Sequence, residues 1–381
     1  MSGGIDYAKL RPDHKSVEPL HVQLHHALVR EIRALPPGSD TILMSERELS
    51  ALLKLGRCTT HRAYERLLED RLVRRLPDKS LAVRRDARVK IRGAYPVIGV
   101  LIALNFTDLL HLCSNNIQPY LNGLIGRCSK SNISCIMLRV PEPAASEEEI
   151  DSFAAEHFPR LCGVIHLGAL CRDTSCKDPV LRRLLSHTEI PQVCLAGSVP
   201  SPHTGSVYAD PAPGLDDMCR TMKKRGFRSV GIVGRLIENS FFHYDSLDRE
   251  DAMRSALERN GLPCRFVEKL RNEDCETAIL RILTSPNRPD VLLCHDDRLA
   301  HQVMEQAAAL GLSIPGDLAL AGYDCRSEDT FLASIHTFPY QIAETAVDMV
   351  MDHFENGISK KNRTVILKTS FSDGNSLQRK E

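Results

Sequence analysis

Seven strand-sized apolar runs without polar alternation constrain this chain most: VIGVLIAL (97–104), CIMLRV (135–140), GVIHLG (163–168), PQVCLAG (191–197), SVGIVG (229–234), DVLLCH (290–295) and LALAGYD (318–324). A strand that is apolar on both faces must be covered on both. The stretches between the runs, such as Asp216 to Arg225, Arg249 to Asn260 and Leu299 to Leu310, carry helical patterns. The expectation is an α/β architecture with parallel sheets, and roughly 270 residues suit two lobes rather than one. In such open sheets ligands bind beyond the carboxyl ends of the strands, which puts a site in the cleft between lobes.

The first 92 residues lack these runs and differ in charge. They hold 19 Lys and Arg against 12 Asp and Glu, a net +7, leaving 30 against 37, a net −7, from the chain's 49 of each sign. A basic unit ahead of an acidic one suggests a nucleic-acid reader joined to something else, although a solvated surface could carry the same charge. The apolar positions Leu24, Ala27, Leu28, Ile32 and Leu35 mark a first helix, stopped by Pro36-Pro37-Gly38. Ser45-Glu46-Arg47-Glu48 is a capping box that opens a second helix to about Leu53. Arg57 to Arg71 forms a third, with Arg57, Thr59, His61 and Arg62 near its start. LVRRL (72–76) and LAVR (81–84) flank the turn PDKS as a basic hairpin. Three helices and a hairpin make a winged helix-turn-helix.

PLHVQL (19–24), SEREL (45–49), Arg57-Cys58-Thr59 and LVRR (72–75) resemble the GntR-type winged helix in order and spacing. By that resemblance Ser45, Arg47, Arg57, Thr59 and His61 face operator DNA: Arg can fork onto guanine or hold phosphate, and Thr and His add phosphate or base-edge bonds. The alternative for Arg47 and Arg57 is a surface salt bridge. His61 stands where the family usually has Arg, and the wing tip lacks the common Gly.

The larger part resembles the LacI/GalR effector domain, which has the periplasmic-binding-protein-like fold. The resemblance is carried by IGVLIAL, VYADPAPG (207–214), KRGFRSVGIVG (224–234), the R-x-x-A-M-x-x-AL pattern from Arg249, PDVLLCHDDRLA (289–300), ALGLSIPGDLALAGYD (309–324) and HTFPYQ (336–341). Together the two parts resemble arabinose-repressor-type bacterial regulators. This implies a DNA-binding domain over 1–85, a linker over 86–95 and an effector-binding and dimerisation domain over 96–368. Lobe 1 would span about 96–209 with a crossover near 335–338, lobe 2 about 210–334 with the C-terminal helix, and 369–381 would be a tail.

The same resemblance implies sugar-binding roles for Arg249, Asp296 and Asp324, with the loop from Asn105 lining the cleft. A guanidinium fork opposed by carboxylates suits dense hydroxyls. The alternatives are pairing of Arg249 with Asp248 or Glu250, and turn capping by Asp324; Asp297 is expected to cap the following helix. Ala196 and Cys325 depart from the family's acidic positions, so a pentose, hexose, sugar acid or nucleoside all remain open as effector. The implied function is a homodimeric repressor that a bound effector releases from a palindromic operator. A constitutive DNA-binding protein whose larger domain only dimerises is the alternative, and an activator would look the same.

No catalytic motif such as GxSxG, a P-loop, GxGxxG or HExxH occurs. Cys294-His295-Asp296-Asp297 could be drawn as a catalytic set, but adjacent strand residues face opposite ways. Thirteen scattered Cys without a CxxC pair point to neither a disulfide framework nor zinc, and His21, His25 and His26 lack further ligands. No cofactor or metal is expected. No apolar run nears the roughly 18 residues of a membrane span, and the start has no signal-peptide core, so a cytoplasmic protein is expected.

Overall fold

The computed structural model describes residues 5–379 apart from 14–15, 17, 36–40, 85–95, 103–116, 143, 168–178, 196–202, 237–242, 272–274, 326–329 and 360. Helices α1 (Leu20–Ala34), α2 (Glu46–Leu53) and α3 (Arg57–Glu69) precede strands β1 (Val73–Arg75) and β2 (Leu81–Val83), which pair antiparallel. Leu24, Leu28 and Ile32 of α1, Leu49 of α2, Tyr64 and Leu67 of α3, and Val73, Leu81 and Val83 of the hairpin share one core. Ile42 adds a bridge to Ala82, and the Tyr64 hydroxyl donates to the Met44 carbonyl at 2.7 Å. His25 is buried on α1 beside Asp70, 2.8 Å away, where desolvation lowers its pKa against the pull of that carboxylate.

Beyond residue 96 the chain builds two parallel sheets. The first comprises β3 (Val97–Ile102), β4 (Ser134–Arg139), β5 (Gly163–His166), β6 (Gln192–Leu195), β7 (Thr204–Asp210) and β13 (Thr364–Lys368), in the order β13-β7-β6-β5-β3-β4. The second comprises β8 (Val230–Leu236), β9 (Cys264–Arg271), β10 (Val291–Cys294) and β11 (Ala319–Ala321), in the order β11-β10-β8-β9. Helices α4 (Gln118–Lys130), α5 (Glu147–His157) and α6 (Pro179–Leu185) serve lobe 1; α7 (Ala212–Lys224), α8 (His243–Arg259), α9 (Cys275–Thr284) and α10 (Asp297–Ala309) serve lobe 2. The continuous burial of β5, β6 and β10 matches their unalternating sequences. Among the described residues no helix is long and apolar enough to cross a membrane.

Two expected assignments are corrected. The C-terminal helix α11 (Pro339–Asn356) belongs to lobe 1, not lobe 2: its Ile342, Ala343, Ala346, Val347 and Val350 share a core with Ile98, Val193 and Val207. Glycines make the room. A Cβ on Gly123 of α4 would lie 2.5 Å from the Tyr340 carbonyl oxygen, and one on Gly205 would meet Met349 at 2.6 Å. The stretch from 369 is likewise no tail. Strand β14 (Ser370–Ser372) pairs antiparallel with β12 (Ser334–His336), and Ser376 and Leu377 are fully buried in lobe 2. The Ser376 hydroxyl donates to the Leu320 carbonyl at 2.7 Å and accepts from the Ala333 amide at 2.9 Å.

The chain therefore passes between the lobes three times, at Asp210–Pro211, Thr337–Phe338 and Lys368–Thr369. Thr369 ties the first and third passages: its hydroxyl donates to the Asp210 carbonyl at 2.8 Å and accepts from the Gly214 amide at 3.0 Å. At the second, Phe338 takes a left-handed φ of 56° before α11, its ring edge-on to His336.

Candidate functional site

Two surfaces bring the expected residues together. In the N-terminal unit, α2 ends at Lys54 with φ 52°, the chain turns, and α3 starts after Gly56. A buried hydrogen bond of 2.8 Å between the Ser50 and Thr60 hydroxyls locks the two helices. Arg47 and Arg57 stand exposed on the outer side and make no ion pair or hydrogen bond among the described residues. The surface-salt-bridge alternative thus has no support. Thr59 is half-buried; His61 is exposed and lies 3.1 Å from Glu46.

The Ser45 hydroxyl is committed to the capping box, accepting from the Glu48 amide and donating to its carboxylate at 2.6 Å. Its place is therefore to fix the start of α2. The hairpin tip makes its turn without glycine: Lys79 takes the left-handed φ of 69°, with Asp78 accepting from the Ser80 amide. Lys79 is exposed there, a cation at the wing tip.

In lobe 2, Arg249 of α8 and Asp324 beyond β11 meet in a two-pronged ion pair, at 3.0 Å and 3.1 Å. Their side chains are 11% and 8% exposed, so this is a largely desolvated pair. Arg249 also donates to the His295 carbonyl at 3.2 Å and lies over the Tyr323 ring, 4.6 Å from its centroid. Arg249 is thus paired with Asp324, while the side chain of Asp248 lies outside the described residues. Glu250 is buried against Lys269 at 3.0 Å. Asp324 and Cys325 have φ of 100° and 49°, left-handed backbone that costs non-glycine residues energy and clusters at functional sites.

The cap expected of Asp297 is supplied by Asp296 instead. Asp296 caps α10, accepting from the Leu299 amide at 2.7 Å, so one of its oxygens is already used. Asp297 is buried and accepts from the Ser334 hydroxyl at 2.6 Å, fastening α10 to β12. His295, weighed from the sequence only as part of a catalytic set, is 5% exposed with an Nε2 that has no partner among the described residues. The signal was its position one residue past the end of β10, where the fold puts ligand-facing groups. Cys294 beside it is fully buried among Leu292 and Leu320, out of reach of any substrate. Asn105 and Ala196 lie outside the described residues. At the lobe 1 strand ends, His166 is fully buried and its Nε2 donates to the Gln192 amide oxygen at 2.8 Å; burial pushes its pKa down to about 4 and keeps it neutral.

The profile of a family described as "Periplasmic binding protein-like domain" matches residues 219–377. The HTH-type transcriptional repressor PurR of Shigella sonnei (strain Ss046) is 26% identical over 194 residues, 50% of this chain and 57% of that protein, and PurR of Escherichia coli O139:H28 matches equally. The chain thus spans little more than half the length of these curated relatives. Among solved structures, the lac repressor dimer bound to operator and the anti-inducer ONPF superposes with a TM-score of 0.60 at 16% identity, over 78% of this chain and 99% of that one. A LacI transcriptional regulator from a Rhodococcus species gives 0.56 at 18%, and the transcription regulator GntR from Chromobacterium violaceum gives 0.56 at 18%, each over 74% of this chain. The region beyond residue 96 has the two-lobed, periplasmic-binding-protein-like α/β fold.

Proposed function

We propose that this chain is a sequence-specific DNA-binding transcriptional repressor, released from its operator when a sugar or sugar-like effector enters the cleft. Residues 1–85 would act as a GntR-type winged helix-turn-helix, presenting α2 and α3 to the major groove and Lys79 to the flanking backbone. Residues from 96 onward would bind the effector and dimerise, so that two readers meet a palindromic operator in the cytoplasm. The observation that carries the reading is the pair of unengaged arginines, Arg47 and Arg57, at the junction of two locked helices in the basic unit. They are joined to a domain with the fold of the lac repressor core. PurR, the similar curated protein, is itself a transcriptional repressor. No catalytic step is involved.

Closure of the cleft can release DNA only to the extent that the effector binds the closed state better, so operator and effector weaken each other by the same factor. On the lobe 2 wall, hydroxyls of the effector would bond the outer edges of Arg249 and Asp324 and the vacant Nε2 of His295. One observation favours the second reading, a constitutive DNA binder: Arg249 and Asp324 already satisfy each other.

The test begins by selecting a duplex from a random library with the wild-type protein. Arg57→Ala should weaken its binding and reduce the salt slope by about one. A panel of sugars, sugar acids and nucleosides is then screened by thermal shift and by duplex affinity. A compound that stabilises the protein and loosens the duplex supports the effector reading. Duplex binding that no compound changes supports the constitutive one.

A further inference from the structure

The two units are separated by the sequence 85–95, yet one side chain reaches across. Arg84, the last described residue of the hairpin, donates from Nη2 to Oε2 of Glu355 at 2.7 Å, across 271 positions of sequence. We infer that this pair is a clasp through which helix α11 of the sensor sets the orientation of the winged unit. The inference rests on the DNA-binding reading above and adds to it a route of regulation.

Both ends of the clasp are stiff. Arg84 continues β2: its amide donates to the Leu72 carbonyl at 2.9 Å, and the Val83 amide donates to the Thr41 carbonyl at 2.8 Å. A displacement of Arg84 therefore moves the hairpin with it. Glu355 lies in the last turn of α11, where the following loop is bound back onto the helix. Asn362 donates to Asp352 and to the Gly357 carbonyl, and His353 is hydrogen-bonded to the Asn362 carbonyl at 2.8 Å.

Glu355 also stands at the wrong end of its helix. The carbonyl end of a helix carries partial negative charge and disfavours an acid there. A cation that approaches from another unit relieves this, and Arg84 is placed to do so. Both side chains are partly withdrawn from water, at 22% and 33% exposure, which reduces screening of the pair.

The other end of α11 begins at Phe338, on the second passage between the lobes. One rigid element, about 27 Å long by its 18 residues, thus runs from the lobe junction to the base of the wing. Cleft closure that rotates the lobes about the passages would tilt α11 relative to lobe 2. The clasp would transmit that tilt to the reader directly, in addition to whatever the linker carries.

The experiment is a charge-swap cycle in the full chain: Arg84→Glu, Glu355→Arg and the double exchange, with Glu355→Gln as a shape-preserving control. The first readout is affinity for the duplex selected by the wild type. Each single reversal should weaken it about threefold or more, and the exchange should restore it to within about twofold. Restoration is diagnostic because Glu355 is on the sensor, and a purely local role of Arg84 at DNA would not be rescued there. The second readout needs no DNA: the rate of trypsin cleavage at Arg85, Arg88, Lys90 and Arg92. It should rise severalfold in the single variants and in Glu355→Gln, and fall back in the exchange. Effects that multiply in the exchange, in both readouts, would overturn the clasp. If no duplex is enriched at all, the DNA-binding reading fails, and the trypsin cycle alone decides whether the clasp exists.

Discussion

Removing either partner of the Arg249–Asp324 pair should cost more than removing both. With side chains only 11% and 8% exposed, the partner left behind is a buried charge that has lost this counter-ion. Breaking a buried pair from one side costs about 3–5 kcal/mol, whereas replacing both charges can be nearly neutral apart from lost packing. Arg249→Ala and Asp324→Ala are each expected to destabilise lobe 2 by that amount, and the double variant by no more than the worse single. At about 2–4 °C per kcal/mol for a unit of this size, each single lowers the melting temperature by roughly 6–20 °C. Asp324→Gly should be milder than Asp324→Ala by about 1–3 kcal/mol, because glycine relieves the left-handed φ of 100°. Urea unfolding of the four variants, followed by circular dichroism, measures the cycle. Single effects that simply add in the double variant, to within about 0.5 kcal/mol, would refute the claim that these charges depend on each other.

Two further outcomes follow from the packing of lobe 1. His166 has a folded pKa of about 4 against an unfolded value near 6.5, so folding disfavours its protonation. Its contribution is whole above pH 6.5, falls as the pH drops towards 4 and levels off below, amounting to about 3 kcal/mol over that window. His166→Asn should flatten the dependence of the melting temperature on pH between 7 and 4; an unchanged slope would show that another group titrates there. Gly123→Ala would place a Cβ 2.5 Å from the backbone oxygen of Tyr340, forcing α11 off α4. The expected loss is about 1–3 kcal/mol or more by overpacking, and a variant as stable as wild type would mean that the helices yield freely.

The parallel sheets were legible because VIGVLI and DVLLCH are apolar at consecutive positions, a local property. The start of α2 was legible for the same reason, since Ser45 and Glu48 lie within one turn. The lobe that receives α11 was not, because that choice depends on the space at Gly123, Gly163 and Gly205, which are distant from the helix in sequence. The move of the cap from Asp297 to Asp296 followed from a one-residue uncertainty in where β10 ends, enough to turn an expected cap into a buried lock. Arg249 and Asp324 were found separately, but their pairing across 75 positions is a product of the closed fold. The burial of Ser376 and Leu377 has no signature in a polar terminal sequence.

The triple passage between the lobes also dictates an order of synthesis. Strand β13, which completes the edge of lobe 1 beside β7, and Leu377, which fills the core of lobe 2, are both among the last described residues to be translated. Until these residues have been translated, neither lobe can close, and the β7 edge and the pocket for Leu377 stay open to other chains. A stop before residue 364 would leave two unfinished lobes rather than one complete lobe and one missing.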